Sequence, residues 1–210
     1  MRDANPPAVH VVQFSFKSLF LILGKVRLLE FCLDRLDPLW IGGTNGIALC
    51  GEAPGLSLSD ELVLGAIENK LDAAGVDPAR LTIEVTETAA ISNLSAARSF
   101  VERLRALGCA LALDDFGAGC GRFYYLKYLP FDHLKIDGEF VANCDTDPAD
   151  QAIIRSIVDI AGELGTEVTA ERVQSQEVLE TIKKLGVTHA QGYLLGRPAP
   201  LDSDASKPGT

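Results

Sequence analysis

The stretch that decides the fold is LTIEVTETAAISNLSAARSFVERLRALGCALALDD, residues 81–115. It opens with a run that alternates apolar and polar residues (81–87), passes through a helical segment (94–107) and ends in a second β-type run (109–115). Gly108 stands between the helix and the second run, and glycine tolerates the left-handed backbone of a helix C-cap. A strand, a helix and a strand at this spacing predict parallel strands joined by a crossover helix.

The same rhythm extends in both directions along the chain. Further helices are predicted at 59–74, 148–164 and 175–185, and further strands at 46–50, 133–137, 167–171 and 187–192. These helices stop at glycines, and their starts carry plausible caps or a first-turn proline: Gly75, Gly165, Gly186, Ser59, Ser175 and Pro148. About six strands without a glycine-rich nucleotide fingerprint favour an α/β fold of the closed, TIM-like (β/α) barrel type over an open doubly wound sheet.

Composition excludes several classes of protein. The 210 residues suit one sizeable core, and a net charge of −10 argues against binding long nucleic acid, though not against a small anionic nucleotide. Five scattered cysteines without a C-x-x-C pair, and only three histidines, argue against a zinc site and predict reduced thiols in a cytoplasmic protein. The uninterrupted apolar run Leu19–Leu23 is too short to span a bilayer, so no membrane span is expected.

Ionisable side chains recur in the same phase on successive strands. Because side chains alternate between the two faces of a strand, residues 81–86 divide into one apolar row and one polar row, and the later strands divide in the same way. The polar rows would face the barrel interior and end where barrel enzymes keep their active sites. The carboxylates expected at this mouth are Glu84, Asp114, Asp137 and Glu171, with Asp115 beside them.

So many carboxylates around one opening need a counter-charge, and Lys135 alone is not enough. Hard divalent cations such as Mg²⁺ or Mn²⁺ suit oxygen ligands, and two such ions are the usual apparatus for attack on a phosphodiester. Taken singly, an acidic residue at a strand end is more often a solvated loop residue or a helix cap. Four in the same phase favour a site.

Four segments, in order, resemble the EAL domain family. They are LTIEVTE (81–87), LALDDFGAGCGRFYYLKYLPFDHLKIDGEFV (111–141), TAERVQ (169–174) and QGYLLGRP (191–198), and the likeness covers about 30 to 200. The resemblance implies a (β/α) barrel, generally with one antiparallel strand, that hydrolyses the bacterial messenger cyclic di-GMP to the linear dinucleotide with Mg²⁺ or Mn²⁺.

By position, the resemblance also implies the roles of the acidic residues. Glu84 and Asp114 resemble ligands of one metal ion, and Asp114 and Asp115 resemble the carboxylates that hold the second ion and bridge the pair. Asp137 and Glu171 resemble partners of metal-bound water, with Glu171 the nearest match to the general base.

Three further residues gain roles in the same way. Lys135 resembles the lysine that orients the attacking water, and Glu87 the glutamate that holds the loop after the D-D-F-G turn. Gln191 resembles the glutamine near the nucleotide.

The chain departs from the family pattern mainly on the first-metal side. No E-A-L triplet occurs, so a metal-binding glutamate is absent and the first strand is missing or replaced by the Val9–Leu23 stretch. Glu52 stands where the family has a metal-binding asparagine, and could itself ligate Mg²⁺, while Pro54 stands where the family has serine. One of two metal sites is therefore expected to be impaired.

Other departures lie in two loops. The loop after D-D-F-G reads AGCGRF (118–123), Arg172 replaces a usual glycine and Gln174 a usual glutamate. Arg172 either points to solvent or brings a guanidinium to the site. Three functions stay open: a phosphodiesterase with reduced activity, a non-catalytic receptor for cyclic di-GMP, and an interaction module without nucleotide.

The resemblance divides the chain into an atypical amino-terminal segment (1–26), an EAL domain (27–201) and a polar tail expected to be disordered (202–210). A missing strand leaves a sheet edge, which a homodimer or a partner signalling domain would cover.

Overall fold

The computed structural model describes residues 12–14, 47–50, 61–74, 77–118 and 123–196. Several of the predicted features lie outside the described residues: Glu52, Pro54, Ser59, Gly75, most of the loop at 118–123, and the tail at 202–210.

Seven strands form one parallel sheet whose spatial order is the order of the sequence. The strands are β1 (Val12–Phe14), β2 (Ile47–Cys50), β3 (Leu81–Thr86), β4 (Ala110–Phe116), β5 (His133–Ile136), β6 (Glu167–Ala170) and β7 (His189–Ala190). Every neighbouring pair among them is parallel, so the antiparallel strand that the resemblance implies is not among the described strands. β1 lies inside the Val9–Leu23 stretch, in keeping with the replacement of the first strand. Sequential parallel order with crossover helices is the arrangement of a (β/α) barrel.

Helices fill the crossovers. They are α1 (Glu61–Ala74), α2 (Glu87–Ser92), α3 (Leu94–Leu107), α4 (Gly138–Val141), α5 (Pro148–Leu164) and α6 (Gln176–Lys184), with 3₁₀ turns at Pro78–Arg80 and Phe123–Lys127. Gly108 and Gly165 adopt the predicted left-handed caps, and Ser175 accepts a hydrogen bond from the Val178 N–H at the start of α6. The short helices α2 and α4 were not predicted, because fewer than two turns leave no periodicity to detect.

The predicted strand phase is confirmed by burial. The apolar rows pack against the helices, where Leu81, Leu111 and Ile136 are at most 1% exposed. The opposite row of the same strands carries buried polar groups, among them Glu84, Asp114 and Lys135. The fold thus brings polar side chains to the carboxyl ends of the strands while the other face forms the core.

No helix in the described part of the chain is long and apolar enough to cross a membrane. Two of the cysteines, Cys109 and Cys144, are buried free thiols, as expected.

Candidate functional site

Five side chains meet at the carboxyl ends of β3, β4, β5 and β6, and we call them the acidic mouth: Glu84, Asp114, Asp115, Lys135 and Glu171. Parallel strands end at one edge, so consecutive strands deliver their last polar residues to the same place. Strand pairing sets Glu84 beside Ala112, two residue pairs before Thr86 aligns with Asp114, so Glu84 and Asp114 lie on the same face of the sheet.

Lys135 is the centre of the acidic mouth. Its Nζ lies 2.9 Å from Glu84 Oε2, 2.7 Å from Asp114 Oδ1 and 2.7 Å from Glu171 Oε1. The lysine side chain is 4% exposed, so its charge is compensated by these carboxylates rather than by water. Four carboxylates against one ammonium still leave the acidic mouth negative when all are ionised.

Burial and neighbouring charges set the protonation of this group. Burial alone lowers the pKa of Lys135, but Glu84, Glu171 and Asp114 outweigh it and hold that pKa above its ordinary value. Burial raises the pKa of Glu171 to about 7; Lys135 opposes this rise, while Asp114 and Glu84 add to it. Lys135 is therefore a fixed cation, whereas Glu171 can hold or release a proton near neutral pH.

A break in β4 turns Asp115 toward the acidic mouth. In a regular strand Asp115 would face away from Asp114, because neighbouring side chains alternate. The β4–β5 register shifts between Leu113 and Phe116, and Asp115 has a positive φ of 53°. A bulge of this kind re-aims a side chain, and aspartate tolerates the left-handed backbone better than most residues.

The arrangement fits a divalent metal ion. Carboxylate oxygens of Asp114, Asp115 and Glu171 lie within 4.8 Å of one another, close enough to share one ion. Such an all-oxygen set suits Mg²⁺ or Mn²⁺. Glu84 lies outside this trio and contacts Lys135 instead.

Asp137 lies outside the trio formed by Asp114, Asp115 and Glu171. Its Oδ1 accepts a hydrogen bond of 2.7 Å from the Glu139 N–H and thereby caps α4. This residue is thus a helix cap, the alternative that the sequence left for any single strand-end acid, and its role toward metal-bound water stays a prediction. Glu52, the remaining predicted ligand, lies outside the described residues.

Glu87 anchors the turn that follows β4. Its Oε2 accepts a hydrogen bond of 3.0 Å from the Gly117 N–H, two residues after Asp115, and its side chain is buried. The buried Tyr125 hydroxyl faces the same carboxylate without reaching strict hydrogen-bond geometry, and burial together with Glu87 raises the pKa of Tyr125. Tyr125 was not singled out from the sequence, since nothing local distinguishes it from its aromatic neighbours.

Gln191 and Gly192 follow β7 and contact the chain on both sides of Glu171. The Gln191 N–H donates to the Ala170 carbonyl and the Val173 N–H donates to the Gln191 carbonyl, both at 2.9 Å. A side chain at Gly192 would collide with the backbone of Val173, so only glycine permits this approach. The strand predicted at 187–192 is thus cut short at Ala190, because the chain turns onto Val173. The Gln191 Oε1 is buried and has no hydrogen-bond partner among the described residues.

Arg172 follows Glu171 in a strained conformation. Its φ is 53°, in the left-handed region that glycine adopts without strain and other residues do not. Its aliphatic stem lies across Gly138, where any side chain would collide with it. Arg172 is exposed, in keeping with the first of the two predicted alternatives.

Comparison with known proteins gives the same family. The sequence model of the EAL domain matches residues 45–198. The cyclic di-GMP phosphodiesterase PdeB of Shewanella oneidensis is 45% identical over 120 residues, which cover 57% of this chain and 14% of PdeB. The chain spans 20% or less of the length of the first three curated relatives that it matches.

Solved structures agree with the fold. The PaMucR phosphodiesterase in complex with cyclic di-GMP matches with a TM-score of 0.76 at 33% identity, covering 87% of this chain and 74% of that one. Klebsiella pneumoniae BlrP1, solved with calcium and cyclic di-GMP, matches with a TM-score of 0.70 at 31% identity, covering 85% of this chain and 44% of that one.

Proposed function

The chain belongs to the EAL domain family, and from this premise we propose that its acidic mouth binds cyclic di-GMP and hydrolyses it to the linear dinucleotide with a divalent metal ion. The observation that carries the proposal is the convergence of Asp114, Asp115 and Glu171 oxygens within 4.8 Å of one another, beside Lys135. Hydrolysis adds one water across one phosphodiester bond, giving a phosphate monoester and a free ribose hydroxyl.

The metal-binding residues in this proposal are Asp114 and Asp115, with Glu84 and Glu52 as candidates for a second ion and Glu171 beside the first as the base. A bound Mg²⁺ or Mn²⁺ would act as a Lewis acid toward the phosphodiester and offset its negative charge. Such an ion would also neutralise the charge that Lys135 leaves uncompensated.

The protein supplies the proton transfer and the positioning. Glu171, whose carboxylate oxygen lies within 4.8 Å of those of Asp114 and Asp115, can accept a proton from the attacking water as the general base. Lys135 stays charged and can orient that water while holding Glu84, Asp114 and Glu171 in place. The Gln191 Oε1, which is buried and has no hydrogen-bond partner within the described part of the chain, offers an acceptor to a donor on the nucleotide.

We propose that the activity is reduced relative to a complete site. The chain as given holds no E-A-L triplet, and glutamate replaces asparagine at position 52. Loss of one metal ligand or of its supporting partner commonly costs about 10–100-fold in affinity or activity. The same observation favours the second candidate, a receptor that binds cyclic di-GMP without hydrolysing it.

We extend the proposal to the setting of the domain. We place the EAL domain at 27–201, with an atypical segment before it and a disordered tail after it. The free, buried Cys109 and Cys144 support a reducing, cytoplasmic location, and a homodimer or partner signalling domain would cover a sheet edge.

A binding and a turnover experiment together separate the candidates. Cyclic di-GMP is titrated calorimetrically into the chain with Ca²⁺, and hydrolysis is followed with Mn²⁺ by chromatography of the linear product. Turnover that Asp114→Ala abolishes, and that Asp159→Ala on the exposed side of α5 leaves intact, supports the enzyme. Binding without turnover supports the receptor, and no binding overturns both.

A further inference from the structure

Arg172 differs from Lys135, the other cation at this end of the strands, because it is exposed. Among the residues that the structure describes, its guanidinium forms no ion pair or hydrogen bond. Lys135, by contrast, is committed to three carboxylates and is nearly inaccessible. A dianionic nucleotide approaching this negative opening therefore meets in Arg172 a cation that is not already compensated.

The backbone at Arg172 is strained, and the strain places the side chain. A left-handed conformation costs a residue with a side chain about 1–2 kcal/mol, and glycine would avoid the cost. Strained residues persist where the surrounding structure holds them, and they concentrate at binding sites. On one side Val173 is held by the Gln191 carbonyl, and on the other Glu171 is held by Lys135.

The aliphatic part of the Arg172 side chain lies against Gly138. The glycine is buried and follows Asp137 at the end of β5, so the stem crosses from the β6 end of the mouth toward the β5 end. A glycine at position 138 is needed for this crossing, because a side chain there would collide with the arginine. The stem thus lies against Gly138 while the residue as a whole is exposed, and a stem held in place lowers the entropy lost on binding a ligand.

Resting on the proposed function, we propose that Arg172 is a phosphate-binding residue of this chain, gripping a phosphate oxygen of the cyclic dinucleotide from the rim of the acidic mouth. Guanidinium groups present a planar fork that matches the two oxygens of a phosphate and cannot be deprotonated at neutral pH. Arg172 thereby contributes to the electrostatic attraction of the anion. Its strained backbone is the destabilising consequence of holding the side chain at this position.

The test compares equilibrium binding of cyclic di-GMP, with Ca²⁺, across matched variants. Arg172→Gln keeps a long polar side chain but loses the charge, and should weaken binding about 10-fold. Arg172→Lys restores the charge without the fork and should recover part of the loss. The control is Arg155→Gln, which makes the same change at an exposed position on α5 and should leave binding unchanged.

A second readout separates binding from structure. Arg172→Gly should raise the melting temperature by about 2–4 °C, since it removes the strain, and yet weaken binding at least as much as Arg172→Gln. A merely structural residue would change both properties in the same direction.

The outcomes divide cleanly. If the wild type binds cyclic di-GMP and neither Arg172→Gln nor Arg172→Gly weakens that binding, the proposed role of Arg172 is wrong. The proposed function is unaffected by that result. Equal weakening in Arg172→Gln and Arg155→Gln also overturns it, because the effect would then be one of net charge. No binding by the wild type overturns the proposed function and the role of Arg172 together.

Discussion

Removal of the central cation tests the electrostatics of the acidic mouth directly. Lys135→Met keeps the length of the stem but leaves Glu84 and Asp114, which are 2% and 4% exposed in their side chains, without their partner. Breaking a buried ion pair by removing one member typically costs about 3–5 kcal/mol, because the other charge stays buried and uncompensated. At about 2–4 °C for each kcal/mol in a chain of this size, the melting temperature should fall by roughly 10 °C.

The measurement is thermal unfolding followed by circular dichroism at pH 7.5 in EDTA, beside the control Lys183→Met. Lys183 is exposed on α6, so its loss should change stability by no more than about 0.5 kcal/mol. Excess Mn²⁺ should restore part of the stability of Lys135→Met, since a cation among the carboxylates replaces the missing charge. A decrease of less than 2 °C in the melting temperature in EDTA would refute the reasoning, because the carboxylates would then not depend on the lysine.

Three further expectations concern the surroundings of the acidic mouth. Gly192→Ala should lower the free energy of unfolding by about 3 kcal/mol in urea titration, because a Cβ would overlap the Val173 backbone, and an unchanged midpoint would contradict this. Glu87→Gln weakens the anchor on the Gly117 N–H and should reduce Mn²⁺ affinity about 10-fold at unchanged melting temperature; equal affinity speaks against the anchor. Burial lowers the pKa of His133, so the unfolded chain takes up the proton first and stability is lost as pH falls below about 6.5. The melting temperature should therefore fall more between pH 7 and 5.5 in the wild type than in His133→Gln, and equal slopes would exclude this histidine.

The part of the site that was predictable from the sequence is the part that follows from local alternation. Glu84, Asp114 and Lys135 lie on the predicted polar rows, since the two-residue period of a strand is a property of the chain itself. Asp115 could not be placed in this way, because its direction depends on a register shift between β4 and β5. The turn that brings it round needs the neighbouring strand.

Other details depend on geometry across several elements. The three contacts of Lys135 could not be predicted, because a sequence gives charges but not distances, and the structure places three carboxylate oxygens within 2.9 Å of its nitrogen. The capping contact of Asp137 could not be predicted, since a cap and a ligand both appear as an aspartate after a strand. The need for glycine at position 192 arises from a loop 19 residues earlier in the chain.

The internal lysine also bears on how such domains diverge. A metal site whose carboxylates depended wholly on the ion for neutrality would become unstable whenever a mutation weakened metal binding, and selection would remove the fold together with the activity. With Lys135 holding Glu84, Asp114 and Glu171 from within, the barrel keeps its own counter-ion. A lineage can then lose individual metal-binding residues while the protein stays folded. A domain that has lost its catalytic activity thus remains available for selection as a sensor.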